Sequence, residues 1–88
     1  MDERVARALL QREVLWVRAM SYAELVALID HPIHQDVVGP DGRPWLVETN
    51  VEWESGGGGD VHVFVMVDDG GWAFWRPLGE DFTRSPRG

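Results

Sequence analysis

Few residues in this chain are able to do chemistry. His31 and His34 stand in the string His31-Pro32-Ile33-His34, and His62 follows later. With Asp36 they can be drawn as a metal cluster, because imidazole and carboxylate both ligate divalent ions. The spacing argues against it. Pro32 stops a helix at that point, so His31 and His34 cannot share a helical face. His62 is placed to pair with Glu52 across two strands, which would favour its protonated form. Asp68-Asp69 and Glu80-Asp81 are adjacent acid pairs. Acid–base work needs two carboxylates in one cleft with their pKa values pushed apart. A turn accounts for the first pair and a solvated loop for the second. Ser21 fits a helix cap, Ser55 and Ser85 lie in loop-like segments, and no G-x-S-x-G occurs. Ser55 to Gly59 is rich in glycine but has no lysine and no following helix, so it is not a phosphate-binding loop. Cysteine is absent, which removes thiolates, disulfides and Cys-based metal sites. No catalytic residue, metal or cofactor is expected.

The elements that must carry these residues are legible. Eighty-eight residues make one domain, and 44% of them are hydrophobic, enough for a core. Residues 3–17 space Val5, Ala6, Leu9, Leu10, Leu15, Trp16 and Val17 as a helix, with Glu13 out of place near the apolar side. Ser21-Tyr22-Ala23-Glu24 is a capping box, with Met20 and Leu25 as a hydrophobic staple. It predicts a second helix over 22–30, ended by Pro32.

Strands and three turns follow. Gly39-Pro40-Asp41-Gly42 suits a tight turn, Ser55 to Gly59 a hairpin loop, and Asp69-Gly70 a two-residue hairpin. These turns place Val37 opposite Trp45 and Ile33 opposite Thr49. Matching apolar phases put Trp53 opposite Val61 and Val51 opposite Val63. The last turn places Val67 opposite Trp72, Val65 opposite Phe74 and Phe64 opposite Trp75. One face then collects Ile33, Val37, Trp45, Val47, Val51, Trp53, Val61, Val63, Val65, Val67, Trp72 and Phe74, and a one-residue slip would break it. Trp16 packs down onto that face from the first helix. The expected fold is α+β, with two N-terminal helices packed on one face of a four-stranded antiparallel meander (ααββββ). The domain is expected over 1–82, with 83–88 a flexible tail.

The opposite face carries Glu48, Asn50, Glu52 and Glu54, and also Leu46, Phe64, Met66, Ala73 and Trp75. Those five apolar residues are the candidate partner- or ligand-binding site. Leu78 and Phe82 are placed to fold back over Trp75. Net charge is −7, from eight arginines, no lysine and fifteen acids. Residues 21–81 hold twelve of those acids against Arg43 and Arg76, while residues 1–20 are slightly basic. An acidic body repels phosphate and attracts basic partners. The N-terminal sequence is charged and no run is apolar enough for a membrane span, so a cytoplasmic protein is expected, without nucleic-acid or membrane partners. The expected function is a non-catalytic acidic interaction module. It either self-associates, as a homodimer, or binds a basic protein, as an inhibitor or immunity-type protein would. The alternative is a small molecule or peptide on the aromatic sheet face.

Three segments carry a resemblance. MSYAELVALID, GPDGRPWLVETNVEWE and GGDVHVFVMVDDGGWAFWRPLGEDF resemble a bacterial domain of unknown function with S-Y-x-E-L, G-P-D-G-R and D-D-G-G-W-x-A-F segments. The last reads D-D-G-G-W-A-F in this chain. The likeness covers residues 18–82 and implies a natural domain, with no activity or site residues attached.

Overall fold

A computed structural model of the chain describes residues 2–69 and 78–87. Its element order is α1 (Glu3–Arg18), α2 (Tyr22–Val26), β1 (Ile33–Val38), β2 (Pro44–Trp53), β3 (Val61–Asp68) and β4 (Leu78–Arg84). The four strands form one open antiparallel sheet in the order β1-β2-β3-β4. The fold is α+β.

Asp2 caps α1, its carboxylate accepting the backbone N–H of Arg4 and Val5. The inward stripe Val5, Ala6, Leu9, Leu10, Val14 and Val17 meets Val61, Val63, Val65 and Val67 of β3 in one buried cluster. Glu13 is buried with them. Trp16 is not: it is 50% exposed, because it stands near Gln35 of β1, where the sheet ends. The expectation that it packs onto the sheet fails.

The capping box at Ser21 forms in both directions. The Ser21 hydroxyl accepts the Glu24 N–H, and the Glu24 carboxylate accepts the Ser21 N–H. The helix behind it stops at Val26 rather than running to residue 30. Ile29 leaves helical geometry to bridge Val51 in parallel, and Asp30 turns the chain with φ 64°. A β-bridge and a helical hydrogen bond compete for the same backbone groups, and the bridge wins.

The Ser21 backbone N–H, and after it the Ser21 hydroxyl beside the carboxylate, hold the Glu24 carboxyl below the ordinary glutamate range. A lowered folded-state pKa contributes stability above the unfolded value and loses it as pH falls through the folded value. Glu24→Gln should therefore be less stable than the parent at about pH 7, and the difference should narrow toward about pH 3. Urea unfolding at the two pH values checks it; a gap that persists in acid would assign the effect to something other than the cap's charge.

The first two hairpins have the expected register. Gly39 and Arg43 close the three-residue turn, Gly42 takes φ 78°, and Val37 faces Trp45 while Ile33 faces Thr49. A Cβ on Gly39 would lie 2.7 Å from the Trp45 indole nitrogen, so that position needs glycine for a close approach rather than for its φ. The Trp45 indole donates to Asp41. Trp53 faces Val61 and Val51 faces Val63.

The third hairpin differs. Val67 pairs with Leu78, Val65 with Glu80, Val63 with Phe82 and Phe64 with Asp81. Residues 78–84 occupy that edge of β3, where pairings with Trp72, Phe74 and Trp75 were expected. Trp72, Ala73, Phe74 and Trp75 themselves lie outside the described residues. Leu78 and Phe82 point to the helix side and pack against the core, instead of folding over the opposite face.

Two anchors explain why this segment is the fourth strand. The Arg84 guanidinium donates to the carbonyls of Met20 and Arg18 at 2.9 Å each, supplying donors at the end of α1 where intrahelical partners run out. The Arg18 guanidinium lies over the Phe82 ring, 4.4 Å from its centroid. The sheet thus continues through Thr83 and Arg84, into the segment expected as a tail.

Candidate functional site

Strand alternation sorts the side chains of the sheet into two faces. The face away from α1 is built from four rows of cross-strand neighbours. They are Asp36–Leu46–Asp68, His34–Glu48–Met66–Gly79, Asn50–Phe64–Asp81 and Glu52–His62–Thr83. Leu46, Phe64 and Met66 therefore come together on this open face, as expected for three of the candidate residues. Leu46 is exposed, and Phe64 and Met66 are half-buried. Ala73 and Trp75 lie outside the described residues.

The described side chains of this face include five carboxylates and two histidines. Asp36, Glu48, Glu52, Asp68 and Asp81 surround the three apolar side chains, and no arginine occurs in the four rows. The arginines of α1 and β4 lie on the other side: Arg84 faces α1, whose own Arg4, Arg7, Arg12 and Arg18 are all exposed. Among the described residues, the arginines of α1 and β4 are thus kept off the open face. Alternation produces this from sequence, because every second residue of β2 from Leu46 to Glu52 is polar or exposed while its neighbours are buried.

Both strand histidines are held by carboxylates. His34 Nε2 lies 3.5 Å from Glu48 across the β1–β2 pair. His62 does face Glu52 in register, but its ring turns elsewhere. Nε2 is 2.6 Å from Asp81 Oδ2 and Nδ1 is 3.6 Å from Glu54 Oε2. The expected Glu52 partner is replaced because β4 brings Asp81 diagonally alongside. The imidazole also leans on Phe64, ring centroids 4.0 Å apart at 48°, so the acid–histidine contacts fix the edge of the apolar group. A histidine oriented by a carboxylate can act as a base only toward a group within hydrogen-bond reach. Among the described residues no hydroxyl is hydrogen-bonded to His62, and no three His, Asp or Glu side chains converge as a metal would need.

A second polar group lies on the helix side. The Glu13 carboxylate, 8% exposed, accepts a hydrogen bond from the Thr49 hydroxyl at 2.9 Å and a longer one from the Gln35 side-chain amide at 3.4 Å. Glu13 was visible in the sequence as an acid at an apolar position. Its partners were not, because they come from two strands that only the tertiary fold brings under α1.

No family model, curated protein or solved structure matches the chain. Among the described residues no helix is long and apolar enough to cross a membrane.

Proposed function

We propose that the protein is a non-catalytic docking module. Both helices cover one face of the sheet, and the open face receives a basic segment of a partner protein that also carries apolar side chains. The observation that supports this reading is the grouping of Leu46, Phe64 and Met66 among the carboxylates of Asp36, Glu48, Glu52 and Asp81. Apolar and aromatic residues at the centre and charges at the rim are the usual anatomy of a protein interface. The acidic side chains steer a basic partner toward it and repel a second acidic face. An inhibitor or immunity-type role against a basic protein falls within this reading.

A peptide with alternating arginine and leucine is the simplest probe. Titrated into the protein, it should perturb the amide resonances of β2 and β3 around Phe64 and bind more weakly as salt rises. Glu48→Lys with Asp81→Lys should weaken binding at least about tenfold, and Phe64→Ala should weaken it further at constant charge. Resonance changes confined elsewhere, or binding indifferent to Phe64→Ala, would sink the reading. So would a concentration-dependent dimer that Phe64→Asp dissolves, since the occupant of the face would then be a second copy.

A further inference from the structure

The second site stands on observations separate from the open face. Over the edge strand β1 the sheet is not fully roofed. α1 lies against β3, β4 and β2, and the inward residues of β1, Ile33, Gln35 and Val37, are each only half-buried. The gap between the helix and this strand is a concavity of about 270 Å³ lined by Arg12, Glu13, Trp16 and Gln35.

Each lining group has unused bonding capacity. Both hydrogen bonds to Glu13 end on Oε2. Its Oε1 has no partner among the described residues, yet it is not a sealed orphan, since no buried polar side-chain atom among them lacks a partner. It therefore opens toward the concavity. Gln35 spends an amide N–H on Glu13, which leaves its own carbonyl oxygen as a second acceptor in the lining. Arg12 is exposed and forms no ion pair among the described residues. Trp16 follows Arg12 by one helical turn and presents half its surface. A buried carboxylate is costly to keep, and one oxygen of this one is held in place by Thr49 without satisfying the other.

We propose that this concavity binds a small zwitterion of the α-amino-acid class with an apolar side chain. The ammonium donates to Glu13 Oε1 and the Gln35 carbonyl oxygen. The carboxylate takes the Arg12 guanidinium, and the apolar body rests on the Trp16 ring. Two fixed acceptors suit an ammonium, which carries several donors and no acceptor. A planar guanidinium suits a carboxylate. The volume is below the roughly 300–1,000 Å³ of drug-sized sites and fits a ligand of amino-acid size.

L-Phenylalanine and L-leucine are the probes, with 2-phenylethylamine and 3-phenylpropionate as analogues lacking one charge. The readout is the Trp16 indole N–H resonance, assigned by its loss in Trp16→Phe. At least one of the two amino acids should move it saturably, and each analogue should bind at least about tenfold more weakly than phenylalanine, one charged contact being lost. Arg12→Gln, at an exposed position that leaves the fold intact, should weaken the amino acid at least about tenfold and leave 2-phenylethylamine unchanged. Glu13→Gln should weaken both. No saturable shift with either amino acid overturns the proposal. So does equal binding of phenylalanine and its analogues, or amino-acid binding indifferent to Arg12→Gln.

Discussion

Leu25→Ala should remove about 2–5 kcal/mol of stability, a large part of the roughly 5–15 kcal/mol available to a domain. Leu25 is completely buried and is the one buried residue of α2. A five-residue helix has no stability of its own, since nucleation costs more than so few hydrogen bonds return. Two devices hold it in place. The capping box fixes its start, and Leu25 fixes it to the core. Tyr22 adds a third tie, its hydroxyl donating to the Gly59 carbonyl at 2.6 Å and joining the helix to the β2–β3 loop. Truncating Leu25 leaves a cavity that the neighbouring valines, β-branched and stiff, cannot fill. Urea unfolding should show a lower midpoint with little change in slope. A loss under about 1 kcal/mol would mean that α2 is not anchored through this side chain.

Thr49→Val should cost about 1.5–3 kcal/mol although it removes one hydroxyl and keeps the shape. Thr49 is 1% exposed and is the shorter of the two donors to Glu13. Without it a buried carboxylate keeps only the 3.4 Å contact from Gln35. Removing one partner of a buried polar pair exposes the desolvation cost of the other, whereas replacing both with apolar groups of similar volume is often neutral or favourable. The double variant Thr49→Val with Glu13→Leu should therefore recover most of the loss, so that the two single effects do not add. Additive losses in the cycle would show that the two groups do not share an interaction. Full recovery would also show that stability does not require Glu13, which fits a carboxylate kept for binding.

The cap at Ser21, the turn at Gly39 to Gly42 and the register of the first two hairpins were legible because each rests on neighbours in sequence. A capping box spans four residues, and a three-residue turn dictates which residues of the flanking strands face each other. Leu46, Phe64 and Met66 shared a face for the same reason, alternation along two strands already in register. Asp69-Gly70 was an equally local signal and led to the wrong partner for β3. Leu78, Glu80, Phe82 and Arg84 alternate as a strand too, and that spacing was the sign available in the sequence.

By itself, then, the sequence determined a capped helical start, two hairpins with their register, a valine-lined inner face and an acidic outer one. All follow from periods and turns a few residues long. Tertiary structure alone decided that residues 78–84 form the fourth strand, that His62 meets Asp81 and that Glu13 finds Thr49. The reason is physical. Those choices are made by contacts between residues 19 to 66 positions apart, such as His62 with Asp81 and Arg84 with the Arg18 carbonyl. Their worth depends on what else is already packed against them.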